Sequence, residues 1–340
     1  MGIRFIQPVK PDLAEGLVAE VYTQIKRDFG RIVEPFSLHS PIPKLLAGVW
    51  MASRESELVG VVPRGSKEAI AATISRINQC PYCVDAHSIM LNASNEQSIA
   101  TAIGEGKYNQ ISDLEKRLLV EWALATRTPG SRILNEPPFT LEAAPEIIGT
   151  AVFYHYINRM VNALLTETPL PSKNQLLKRP LMWVATLIFS RAIKRVKTEG
   201  DSLSLLPEAE LPSDLGWAHS KPNIAGAFAR LSAVIDEVGS HSLSSKVRSF
   251  VKERVATWNG EFPKPSKSWV EKIINDFTGS ERATAKLALL VALAPYQIGK
   301  YDILAFRNHF PEDNKLLGVL AWASFTAARK IGNWLHIPKI

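Results

Sequence analysis

Apolar side chains recur every three or four residues along most of this 340-residue chain, and that period commits it to helices rather than strands. Segments 67–78, 113–126 and 145–165 carry the period clearly, as in Ile70, Ile74 and Ile77, with none of the alternation that a half-buried strand needs. Gly104 to Gly106, Thr128 to Gly130 and Pro137 to Pro138 interrupt it where turns are expected. Ser112 to Glu115 has the spacing of a capping box, which predicts a helix opening there. The expected fold class is all-α. With 46% hydrophobic and 21% charged residues the chain has the composition of a soluble globular protein, and its length suffices for two packed cores.

Three matches in the same order suggest that the second core repeats the first. Leu46-Ala47-Gly48-Val49-Trp50 parallels Ile224-Ala225-Gly226-Ala227-Phe228. Glu115-Lys116 and the apolar run ending at Pro129 parallel Glu281-Arg282 and the run ending at Pro295, and Gly149 with its following helix parallels Gly318. Residues 1–168 then form one half, 221–340 a degenerate second half, and 169–220 a basic connection with a helix expected over 181–196. Extending the first match without a gap sets Trp258 against Cys80, Glu261 against Cys83, Pro265 against His87 and Lys246 against Glu68. The second half is therefore expected to lack the chemistry of the first and to serve as structural cover.

That chemistry centres on Cys80-Pro81-Tyr82-Cys83-Val84-Asp85-Ala86-His87, which holds both cysteines of the chain. A disulfide closing so short a loop removes little unfolded-state entropy, so stapling is a poor reason for the pair. Proline favours the first helical position, which predicts a helix starting at Pro81 with Cys80 at its cap and Cys83 in its first turn. Unpaired N–H groups at that end favour thiolate, and this argument serves Cys80 at least as well as Cys83. His87, four residues after Cys83, shares its helix face and can exchange protons with it. A zinc site built on Cys80, Cys83 and His87 lacks a fourth ligand with recognisable spacing.

Glu68 lies twelve residues before Cys80 and completes the pattern Glu-x11-Cys-x2-Cys-x3-His. On these residues the chain resembles the alkylhydroperoxidase D and carboxymuconolactone decarboxylase-like family. The resemblance covers about residues 40 to 165 and extends faintly over 222 to 335. It implies an all-helical fold, a homo-oligomer, and an antioxidant dithiol that reduces a peroxide and is re-reduced by a dithiol or protein reductant. It assigns Cys83 the attack, Cys80 the resolving step, and Glu68 and His87 the proton relay, with no metal, haem or other cofactor. Alkylhydroperoxidase D has a histidine immediately before its second cysteine, where this chain has Tyr82; the Tyr82 hydroxyl can orient a water but carries protons poorly at neutral pH. Residues 153–159 resemble the closing helix of peroxidase-like members, which makes His155 a secondary candidate.

Two other functions fit parts of the sequence. One is acid–base chemistry on a small organic acid or lactone, as in the decarboxylase branch, which has no need of two thiols. The other is a redox-responsive binding protein with little turnover. Lys173, Lys178, Arg179, Arg191, Lys194, Arg195 and Lys197 gather part of the +7 net charge, and read as a solvated helix face. No stacking aromatic series accompanies them, so no nucleic acid is expected as a partner. The first residues lack the order of a secretory signal and the longest apolar run is too short to span a bilayer, which together predict a cytoplasmic protein without a membrane span.

Overall fold

A computed structural model describes residues 2–170, 175–193 and 195–336, leaving aside the side chains of 175–179 and 181. Of the basic cluster, Lys173 and Lys194 and the side chains of Lys178 and Arg179 lie outside the described residues. Sixteen α-helices appear among the described residues, and no sheet. They are α1 (Gly16–Phe29), α2 (Glu34–Ser37), α3 (Pro43–Ser53), α4 (Arg64–Ile77), α5 (Pro81–Ala93), α6 (Gln97–Glu105), α7 (Leu114–Ala125) and α8 (Arg132–Asn135). After these come α9 (Ala144–Leu164), α10 (Gln175–Ile193), α11 (Pro222–Ser242), α12 (Ser245–Ala256), α13 (Ser268–Ile273), α14 (Gly279–Leu293), α15 (Lys300–Arg307) and α16 (Asp313–Leu335). The nearest approach to a strand is one antiparallel bridge between Ile3 and Leu165. The all-α expectation is met.

The centre is α9, in which every residue but Asn162 is buried. A helix apolar on all sides must be covered on all sides, and α16, α4 and the turn after α3 do this. Across the molecule α3 packs on α11, closely enough that a Cβ on Gly48 would stand 3.2 Å from the Leu231 backbone. One continuous apolar cluster thus runs from Ile6 to Leu335.

Three local features position the site. First, α3 runs on into a π-helical turn, Arg54–Leu58, whose wider winding turns Arg54, Glu55 and Glu57 inward, all buried. Arg54 bonds Asp28 and Glu55, and Glu55 accepts from the Gly200 amide, Ser202 and Asn223, so this buried knot ties the central connection and α11 to the first half. Second, α4 and α5 form a hairpin whose tight turn places Gln79 in the left-handed region, at φ 52°. The expected opening of α5 is found, with Pro81 at its first position and Cys80 as the cap residue. Third, α10 packs across α5 and α1.

Two boundaries differ from expectation. Asp113, not Ser112, caps α7, accepting from the Lys116 amide, because its shorter reach to the third helical N–H satisfies an orphan donor directly. The connecting helix spans Gln175–Ile193 rather than 181–196, and accommodates Pro180 within its first turns.

Candidate active site

The α4–α5 hairpin brings the predicted residues together. The sulfurs of Cys80 and Cys83 are joined in a disulfide across Cα atoms 5.3 Å apart, a separation that suits the bond. Both residues are buried from the outer surface. They differ in what they face: Cys83 lines a cavity of about 150 Å³, and Cys80 does not. Most of the cavity wall is apolar, including Phe36, Met90, Phe153 and, from α10, Ala185 and Phe189. Its polar lining includes Glu57, Tyr82, His87 and Tyr154, with Arg31, Glu34 and Asn158.

His87 Nδ1 lies 2.7 Å from Glu68 Oε2, so the expected partnership between these two residues is present as a hydrogen bond. Glu68 is fully buried. Its other oxygen accepts from Arg64 Nε at 2.9 Å and Nη2 at 2.5 Å. The same Nη2 lies 2.8 Å from Glu57 Oε1, so one guanidinium bridges two buried carboxylates. The Tyr154 ring meets the His87 ring edge to face at 4.6 Å between centroids, which fixes the imidazole orientation.

The secondary candidates separate. Tyr82 lines the cavity, but its hydroxyl donates to Glu34 Oε2 at 3.0 Å. His155 is held elsewhere: Nδ1 contacts the Asn78 amide nitrogen at 3.1 Å and Nε2 contacts Thr126 Oγ1 at 2.9 Å, and the residue is absent from the cavity wall. Burial, together with the positive charges of Arg159 and Arg127, holds the His155 ring well below the ordinary histidine range and therefore neutral.

Compared with known proteins, the chain is 40% identical over 336 residues to the alkyl hydroperoxide reductase Rv2159c of Mycobacterium tuberculosis, across 98% of its own length and 95% of that protein's. The chain belongs to the alkylhydroperoxidase D-like family. No family model matches it. The family assignment rests on nearly the whole chain, and so includes the second half and the connection that the four-residue motif leaves out.

The electrostatics of this family member's site follow from one cation between two acids. Burial opposes the charge on Glu68, but Arg64 and His87 outweigh it and hold that carboxyl below the ordinary glutamate range. At Glu57 burial prevails; Arg64 offsets it only in part, the Glu68 charge adds to it, and the carboxyl is pushed up. Two acids about one guanidinium therefore divide, the Glu68 carboxyl shifted down and the Glu57 carboxyl shifted up. Burial also raises the Tyr154 hydroxyl, with the neighbouring carboxylates adding to the effect. Glu57, Glu68 and His87 offer ligand atoms within 4.8 Å of one another. Arg64 already sits against both carboxylates and supplies their positive charge, so the trio reads as an ion-pair network.

Glu57 and Arg64 are the site residues that sequence reasoning did not single out, whereas Tyr154 lies on the 153–159 helix and is read from sequence as a packing residue. Arg64 was open to detection, since it stands four residues before Glu68 on one helix face. Glu57 carries no such signal, because a π-turn follows no periodic pattern.

Proposed function

We propose that the chain is a thiol-dependent hydroperoxide reductase in which Cys83 attacks, Cys80 resolves, and His87 with Glu68 handles the proton. The observation that carries this reading is the cavity: Cys83 reaches it and Cys80 does not, while His87, bonded through Nδ1 to Glu68, stands in its polar wall. In the reduced protein the Cys83 thiolate attacks the terminal peroxide oxygen. An S–O bond forms, the O–O bond breaks, and the departing alkoxide takes a proton to leave as an alcohol. His87 supplies that proton from Nε2, the ring nitrogen that Glu68 does not engage. Cys80 then attacks the Cys83 sulfenic acid, the S–S bond replaces the S–O bond, and hydroxide leaves as water with the second thiol proton. An external dithiol returns the pair to the reduced state and is itself oxidised. No step calls for a metal.

The proposal extends to the whole chain. The second half, as a degenerate copy of the first, supplies through α11 and α16 the cover that another subunit would otherwise give α3 and α9. A cycle that must be reset by thiols suits a reducing compartment such as the cytoplasm.

The test is peroxide consumption with an organic hydroperoxide and excess dithiol. The wild type turns over and Cys83→Ser does not; an unchanged rate in Cys83→Ser removes the role given to that sulfur. A second reading, acid–base chemistry on a small organic acid, draws on the Glu57 carboxyl, which lines the same cavity with a raised affinity for its proton. Turnover of such an acid by a protein lacking both thiols would favour it.

A further inference from the structure

The two faces of α10 have different fates. Ala185 and Phe189 line the cavity, whereas Trp183, Val184, Leu187 and Ile188 are 64%, 50%, 49% and 45% exposed. With Arg191 these four follow the spacing of one helical stripe, on the side opposite the cavity. Elsewhere among the described residues, exposed large apolar side chains occur singly or as the pair Tyr301 and Leu304. The α10 stripe is the place where they form a patch.

Charge singles out the same segment. Between Glu167 and Glu199 there is no acidic residue, and there are seven basic ones: Lys173, Lys178, Arg179, Arg191, Lys194, Arg195 and Lys197. Seven cations less no anions is +7, which equals the net charge of the whole chain, so the remainder is neutral. In sequence the cations stand before and after the apolar stripe. Lys197 donates to the carbonyls of Ala192 and Arg195 and is half-buried in a wall shared with Asp28 and Arg64, whereas Arg191 and Arg195, the latter donating to the carbonyl of Arg27, are exposed.

An apolar band with tryptophan, bounded at both ends by cations, matches a surface that is apolar inside and anionic at its rim. A second copy of this chain is a poor occupant, because apposing two such helices brings their cationic ends together. We propose that α10 is an interfacial helix that docks this protein on an anionic phospholipid surface, with Trp183, Val184, Leu187 and Ile188 toward the acyl chains and Arg191 and Arg195 against the phosphates. The cavity lies directly beneath that helix, so peroxidised acyl chains are the substrates such docking would supply. This consequence rests on the peroxide-reducing reading, whereas the docking itself does not.

The test is co-sedimentation of the full-length, disulfide-bonded protein with vesicles of phosphatidylglycerol and phosphatidylcholine, against vesicles of phosphatidylcholine alone. Binding is expected on the anionic vesicles, falling with added salt. Leu187→Ser combined with Ile188→Ser should lower the partition on the order of tenfold, and Arg191→Glu should lower it as well, with both proteins melting as the wild type does. No preference for the anionic vesicles overturns the proposal. So does serine-pair binding equal to wild type, since the attraction is then charge alone. Self-association of the wild type that the serine pair abolishes, without vesicle binding, makes the face a contact between copies and equally overturns it. No peroxide enters the assay, so its failure leaves the peroxide-reducing reading standing.

Discussion

Glu57→Gln and Glu68→Gln make the same isosteric change in neighbouring buried carboxylates, and the two should differ sharply. Glu68 accepts two bonds from Arg64 and one contact from His87, all within 2.9 Å, and is fully buried. Neutralising it leaves Arg64 facing only Glu57, which burial disposes to hold its proton. Breaking a buried ion pair from one side costs about 3–5 kcal/mol; partial ionisation of Glu57 in response brings the expected loss to the low end, about 3 kcal/mol. Glutamine at 57 replaces a carboxyl whose charge burial already disfavours, so the cost there is expected to be smaller, about 1 kcal/mol, on the order of one altered hydrogen bond. Urea unfolding of both variants at neutral pH measures the difference, and peroxide turnover should separate them in the same order. Glu68→Gln loses about a hundredfold or more as the orientation of His87 is lost, and Glu57→Gln loses much less. Equal destabilisation by the two substitutions, or a wild-type rate in Glu68→Gln, would refute the division of charge between these acids.

Acid titration of stability should show the same asymmetry. Because the Glu68 carboxyl is held below its ordinary value of 4.5, its contribution is complete above that pH and is lost as pH falls through the lowered value; the acid-side loss should be smaller in Glu68→Gln. Glu57, raised above 4.5, acts in the opposite sense, costing stability as pH rises through its raised value, and Glu57→Gln should remove that decline. Cys80→Ser should retain one rapid oxidation by peroxide and stop at a Cys83 sulfenic acid, detectable by a dimedone adduct; full turnover would contradict its resolving role. Gly60→Ala should destabilise by about 2 kcal/mol or more, because φ is 102° there and a Cβ would stand 2.3 Å from the Glu146 carboxyl that binds the Val61 and Val62 amides. A wild-type unfolding midpoint would show that this loop relaxes.

How far the sequence could be read depended on whether each feature was local. The start of α5 at Pro81 and the shared face of Cys83 and His87 follow from helix geometry over a few residues. The Glu68–His87 contact crosses between two helices, and only the family spacing announced it. Helical period could not reveal Glu57, because a π-turn aims it, nor the cavity, because its far wall comes from α10, distant in the chain. His155 lies on the closing helix that the family resemblance pointed to, yet it stands one residue, about 100°, round α9 from the cavity-lining Tyr154, and its ring meets Asn78 and Thr126. The cap at Asp113 shows the same limit, since adjacent polar residues compete for one N–H and only geometry decides between them.

The most direct measurement is a single turnover without reductant. Reduced protein mixed with one equivalent of an organic hydroperoxide should lose both thiols, gain the bond between Cys80 and Cys83 with two hydrogens gone from the intact mass, and release one equivalent of alcohol. Thiols that stay reduced while the peroxide disappears would contradict the account.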